Sequence, residues 1–157
     1  MQKWKIGLAG LLACVAGSAP AAEYLNFGGV SRHFERDLGY NEANYGIGYE
    51  RDWEVGDSGQ AWREDVSFSM GVYKNSIRRA TFYFLANYLP LDLGSGFRAG
   101  VSGGLLSGYR HAVVVPTLLP SIEWRGERIA VQGFVVPTMK PYVDGAIVVQ
   151  FKYRFGD

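Results

Sequence analysis

Apolar and polar residues alternate one for one in several stretches of this chain, most clearly near its C-terminus. Ile147, Val149, Phe151, Tyr153 and Phe155 fall on one parity, and Gln150, Lys152 and Arg154 fall on the other. Successive side chains of an extended chain point to opposite faces, so the pattern separates an apolar face from a polar one. Val66, Phe68, Met70 and Val72 alternate with Ser67, Ser69, Gly71 and Tyr73, and Tyr45, Ile47 and Tyr49 with Asn44, Gly46 and Gly48. Helical periodicity is absent, and beyond the N-terminal segment no apolar run is long enough to cross a membrane as a helix. The alternation predicts eight strands, at 24–32, 44–53, 62–73, 79–89, 96–106, 112–124, 128–136 and 145–155. Most are near the ~9 to 11 residues of a tilted membrane strand. The expected fold is all-β, an eight-stranded antiparallel up-and-down transmembrane β-barrel with an apolar outside.

An even number of strands returns both termini to one side. The connections at 32–43, 74–78, 107–111 and 137–144 then share the outer rim, and those at 54–61, 90–95 and 125–127 the inner one. Arg32, Arg78, Arg79, Arg110 and Lys140 fall at the outer ends, while Glu54, Asp57, Asp92, Glu123 and Glu127 gather at the inner ends. Basic outer ends suit the phosphates of lipopolysaccharide through charge-assisted hydrogen bonds. Charges that only cap strand ends would give the same pattern.

Residues 1–22 read as a secretory signal peptide. Lys3 and Lys5 precede an apolar run at 6–16, and small residues lead to Ala19-Pro20-Ala21, with cleavage expected after Ala21 or Ala22. The uncharged run at 6–22 falls short of the ~20 residues of a spanning helix. The barrel then occupies 23–157 as one domain. Cys14, the single cysteine, lies in the leader, so no disulfide or thiolate chemistry is expected of the mature chain. The formal net charge of +1, which loses Lys3 and Lys5 with the leader, provides no field for nucleic acid. Export and barrel together imply the outer membrane of a Gram-negative bacterium, with the chain expected as a monomer.

Sequence offers little conventional chemistry. The two histidines, His33 and His111, have no cysteine or histidine cluster beside them, so neither metal nor cofactor is expected. Gly100-Val101-Ser102-Gly103-Gly104 matches G-x-S-x-G by letter, but lies mid-strand without the following helix a nucleophile elbow needs. His33 ends the first strand and Ser76 lies in the second outer connection, which places both at one rim. A histidine within reach of a serine hydroxyl can take its proton as it attacks an ester carbonyl. His33 shares parity with Leu25 and Phe27, however, which points it outward unless the strand bends first.

Three stretches together resemble the lipid A palmitoyltransferase family of eight-stranded outer-membrane enzymes. They are Tyr40-Asn41-Glu42 with Tyr45-Gly46-Ile47-Gly48; Tyr73-Lys74-Asn75-Ser76; and Pro116-Thr117-Leu118-Leu119-Pro120 continuing to Gln132 and Val136-Pro137. The resemblance implies transfer of a palmitoyl chain from the sn-1 position of a phospholipid to a lipid A hydroxyl. It implies His33, Asn75 and Ser76 as the catalytic set and Pro116 and Pro137 as contacts to lipid chains, beside Arg32, Arg78 and Arg79, whose place at the outer ends suits lipid phosphates. Asn75 stands where the family has aspartate, and an amide cannot be the anionic partner of an imidazole, a role left to Asp37 or Glu42. The family's amphipathic helix before the first strand, and the proline in that strand, have no counterpart. Prolines 116, 120 and 137 each remove a ladder hydrogen bond, which a barrel keeps as a bend, a rim or a lateral opening; the similar family admits lipid chains through such gaps. Two further readings stay open: a non-enzymatic surface barrel, and a periplasmic barrel that binds a small lipid.

Overall fold

A computed structural model describes residues 22–52, 66–109, 113–141 and 143–155. Residues 1–21 of the expected leader, with Cys14, and Glu54, Asp57, Arg110 and His111 lie outside the described residues. The eight strands are β1 (Glu23–His33), β2 (Gly46–Asp52), β3 (Val66–Lys74), β4 (Ala80–Gly94), β5 (Phe97–Ser107), β6 (Val114–Arg125), β7 (Ile129–Val136) and β8 (Ala146–Arg154). Each pairs antiparallel with its sequence neighbours, and β8 closes on β1 from Tyr24↔Arg154 to His33↔Ala146, which makes a closed barrel. The expected all-β, eight-stranded antiparallel barrel is the observed fold.

In part of the lumen its polarity is the reverse of a water-soluble core. Asn26, Glu50, Ser67, Asn87, Gln132 and Lys152 are buried in the lumen, while Phe27, Ile47, Met70, Phe84, Leu118 and Phe151 face outward and are exposed. Each strand supplies both sets because side chains alternate across the sheet.

Two local departures matter. β4 runs to Gly94, past the expected end at residue 89, so the inner connection expected at 90–95 is largely strand. Pro90 does not end the strand, because a register shift between Tyr88 and Leu91 absorbs it. The hairpin then turns at Ser95 and Gly96, both at positive φ (53° and 83°), as a two-residue turn matched to strand twist requires.

The second departure is in β1, where the register against β8 shifts between Phe27 and Val30. One inserted residue exchanges the two faces for everything beyond it. Leu25 and Phe27 point outward below the bulge, yet Ser31 and His33 point inward above it, both buried. The bulge is built on Gly28 and Gly29. A Cβ on the first would overlap the backbone of Asn44, and on the second that of Val149, so only glycine fits at either.

Candidate functional site

The lumen divides into a polar lower half and an apolar upper half. Below, the Lys152 ammonium reaches the carboxylates of both Glu50, at 2.7 Å, and Glu123. Glu50 also accepts from Ser67 Oγ at 2.8 Å, Ser67 accepts from Asn87 at 3.0 Å, and Gln132 spans to Asn87 and Ser102 at 3.3 Å each. Arg125 joins Glu123 to Asp52, the latter at 3.0 Å. Charges this deep persist only when paired, so the network is one interlocked layer across the barrel. Glu123, expected at the inner rim, is wholly buried in it. Its inward parity on β6 and the cations opposite it place it there.

Above this layer the inward residues change from amides and hydroxyls to Leu85, Leu106, Leu119, Phe134 and Val148. They line a cavity of about 890 Å³, a volume within the range of small-molecule sites. Tyr83 marks the boundary, packing with Leu85 and Phe134 while its hydroxyl accepts from Gln150 at 3.2 Å.

His33 and Ser76 both line this cavity, at the rim where β1 ends. The two outer corners that carry them are hydrogen-bonded together. Asn41 N–H donates to the Ser76 carbonyl at 2.8 Å, the Asn41 amide to the Asn75 carbonyl at 3.2 Å, and the Asn44 amide to the Lys74 carbonyl at 3.1 Å. The His33 ring lies against Tyr40, centroids 4.5 Å apart, and the Tyr40 hydroxyl donates to Asp144. Burial of the His33 ring outweighs the negative charge that Glu42 and Asp144 bring to it, and the Glu42 carboxylate accepts from its backbone N–H at 3.4 Å. Asp37 is exposed at the surface.

Asn75 has different work. Wholly buried, it accepts from the N–H groups of Ile77 and Arg79 at 3.0 and 2.9 Å and donates to Thr81 Oγ1 and the Gly108 carbonyl at 3.0 and 3.2 Å. Its side chain is fully engaged in holding the β3–β4 turn to the end of β5, which is the scaffold under Ser76 rather than a partner for the imidazole. Among the basic residues, Arg78 lines the cavity mouth at a positive φ of 62°. Arg79 is exposed, its backbone closing the Asn75 turn, and exposed Arg32 pairs with Glu42 at 3.6 Å.

Pro116 and Pro137 also line the cavity, at a seam. The β5–β6 ladder runs unbroken from Phe97↔Trp124 to Ser107↔Val114, but β6–β7 stops at Ser121↔Phe134. Arg125 N–H points to Gly96 on the β5 side and Gly126 N–H to Ile129 on the β7 side. Backbone groups alternate in direction along a strand, so even-numbered β6 residues face β7. Extending the register Ile122↔Gly133 upward, the hydrogen-bonding positions fall at 120 opposite 135, 118 opposite 137 and 116 opposite 139. Each holds one proline, at 120, 137 and 116, so each lacks a donor. The prolines leave β5–β6 intact and abolish pairing on the other edge alone.

Compared with known proteins, the chain matches no family model and no curated protein. Sequence reasoning passed over Ser31, Tyr40 and Asp144 as site residues, and named Asn44 only in a strand alternation. Tyr40 and Asp144 sit in connections without periodicity, and Ser31 reads as outward until the bulge is known.

Proposed function

We propose that this chain is an outer-membrane barrel that holds a lipid acyl chain in its upper half and transfers it to an acceptor hydroxyl. The apolar cavity carries the reading, since it is bounded below by a buried ionic layer, flanked by an unpaired β6–β7 seam, and bears a buried histidine at its mouth. The exposed apolar belt favours lipid as the surrounding medium, because such a continuous surface is rare on monomeric proteins in water. In hydrocarbon an unpaired strand edge is costly, so a seam kept open by three prolines favours a passage for chains over a packing flaw.

In the proposed reaction His33 takes the proton of a hydroxyl, from the acceptor lipid or from Ser76, as that oxygen attacks the donor ester carbonyl. The donor's carbon–oxygen bond then breaks, and the proton returns to the departing glycerol oxygen; where Ser76 has attacked, the acceptor hydroxyl next gives its proton to His33 and attacks the acyl-serine ester, and the proton passes to Ser76 Oγ as that bond breaks. Tyr40 orients the ring, and Glu42 with Asp144 supplies the negative charge that Asn75 does not. Arg32, Arg78 and Arg79 would meet acceptor phosphates. The resemblance supports lipid A as acceptor and palmitate as the chain. Mass spectrometry of lipid A from an outer-membrane host expressing the chain tests this. One added palmitoyl group, lost in His33→Ala, is expected, and an unaltered spectrum from a folded, inserted barrel would refute transfer to lipid A. A non-enzymatic lipid-binding barrel is the second reading, favoured by the scaffold role of Asn75. It predicts acyl binding without transfer.

A further inference from the structure

Tyr109 does not face the way its place in the chain dictates. Along β5, Val101 and Leu105 are exposed on the outside while Ser102 is buried in the lumen, so alternation would send residue 109 outward. Gly108, at a φ of 80°, interrupts the count; a Cβ there would overlap the Ala80 carbonyl, so only glycine fits. Tyr109 lines the cavity instead, its hydroxyl 3.1 Å from that of Tyr73.

The hydroxyls here form a chain with a direction. The Asn75 amide oxygen accepts from the N–H groups of Ile77 and Arg79, so the amide atom facing Thr81 Oγ1 is the nitrogen, which only donates. Thr81 lies directly across from Tyr73 in the β3–β4 ladder and hydrogen-bonds its hydroxyl, and Tyr73 hydrogen-bonds Tyr109. Thr81, Tyr73 and Tyr109 thus bring three hydroxyl protons to two hydrogen bonds, and among the described residues nothing accepts the third. A buried donor without an acceptor is costly, so wholly buried Thr81 gives its proton to Tyr73. Accepting that bond strengthens Tyr73 as a donor toward Tyr109, which leaves the spare proton on Tyr109.

That proton stands beside Ser76. The Asn75 amide donates to the Gly108 carbonyl at 3.2 Å, so Ser76 and Tyr109, each the next residue along, leave the same hydrogen bond, and both line the cavity. The apolar wall formed by Leu85, Leu106 and the Tyr73 ring adjoins them. An alkyl chain seated against that wall brings its first polar atom, the carbonyl oxygen, to the level of the hydroxyls.

We propose that Tyr109 is a catalytic hydrogen-bond donor whose O–H holds the carbonyl oxygen of the donor ester at the top of the chamber. As a hydroxyl oxygen adds to the carbonyl carbon, the carbonyl's electron pair moves onto the oxygen that Tyr109 holds, and it re-forms the double bond when the donor's carbon–oxygen bond breaks. Asn75, Thr81 and Tyr73 are positioning residues that aim the proton. This rests on the acyl-cavity reading above and adds the group that polarises the ester. Methyl hexadecanoate and methyl hexadecyl ether differ only in the carbonyl oxygen, and each is set to compete with a fluorescent fatty acid bound to the refolded barrel. The ester is expected to displace the probe at about tenfold lower concentration. Tyr109→Phe, which removes one oxygen, should bring the two competitors together without changing the ether. It should also lower kcat for acyl transfer about 10²-fold, with KM far less affected. Equal displacement by the two compounds in the parent barrel overturns the role of Tyr109 and leaves the chamber standing, whereas displacement by neither overturns both. A preference undiminished in Tyr109→Phe contradicts the assignment, and its loss in Tyr73→Phe instead would place the donor there. A heat-modifiable band on gel electrophoresis confirms that each variant is folded.

Discussion

At the scale of single residues, Asn75 separates resemblance from geometry. The sequence places it beside Ser76, where the similar family has its aspartate, and only the structure shows four hydrogen bonds consuming its amide. Asn75→Ala strands the N–H groups of Ile77 and Arg79, so the barrel should lose about 1–3 kcal/mol in urea unfolding. A change within a few tenths of zero would contradict the scaffold role. Lys152 is the opposite case, since its inward parity was plain but its partners, Glu50 and Glu123, come from distant strands. Lys152→Met leaves two carboxylates buried without their shared cation and should cost roughly 3–5 kcal/mol by the same measurement.

At the scale of elements, the expected strands match the described ones to within a few residues apart from the end of β4, because a barrel wall between two media imposes its period on the chain. Alternation failed where one residue changes the count. His33 looked outward by parity with Phe27, and the Gly28–Gly29 bulge turns it inward; two adjacent glycines are the only trace of this in the sequence. Deleting Gly29 should restore the simple parity and expel residue 33 from the lumen. With cysteine at position 33 carrying a fluorophore, quenching by lipid-borne nitroxide should then appear in the deletion and be absent from the parent. The prolines of β6 were legible as ladder breaks, but which edge they break depends on strand direction and register. Pro120→Val returns a donor opposite Val135, so hydrogen exchange there should slow and acyl transfer fall while stability holds or rises. Exchange as fast as in the parent would show that the seam is held open by something else.

At the scale of the whole molecule, the barrel is a buried ionic floor carrying an apolar chamber, with its mouth clamped where Glu35 and Tyr40 meet Lys140 and Asp144. Tyr40 and Lys140 both hold Asp144, and Lys140 also reaches Glu35. The hydrogen bond from Tyr40, then that from Lys140, lowers the Asp144 pKa below its ordinary 3.8. A depressed carboxylate stabilises the fold above its unfolded pKa, and that contribution disappears as pH falls through the lower folded value. The clamp should therefore hold at neutral pH and loosen below about pH 4, seen as faster proteolysis of the two connections it joins, with Asp144→Asn already loose at neutral pH. The division into floor and chamber was half legible. The polar parity of Ser67 and Lys152 was plain, but the apolar upper wall uses Leu and Phe on the inward parity and reads locally like any other strand.

The occupancy of that chamber is the claim on which the function depends. A phospholipid with a photoreactive group at the end of its acyl chain, incorporated with the barrel into liposomes and irradiated, reports where the chain tip resides. Crosslinks mapped to Leu85, Leu119, Phe134 and Val148, reduced by Pro120→Val, are the result expected. Crosslinks confined to outward residues such as Phe82, Phe84 and Ile147 would show that the chain stays in the bilayer, and the cavity would then have no part in handling lipid.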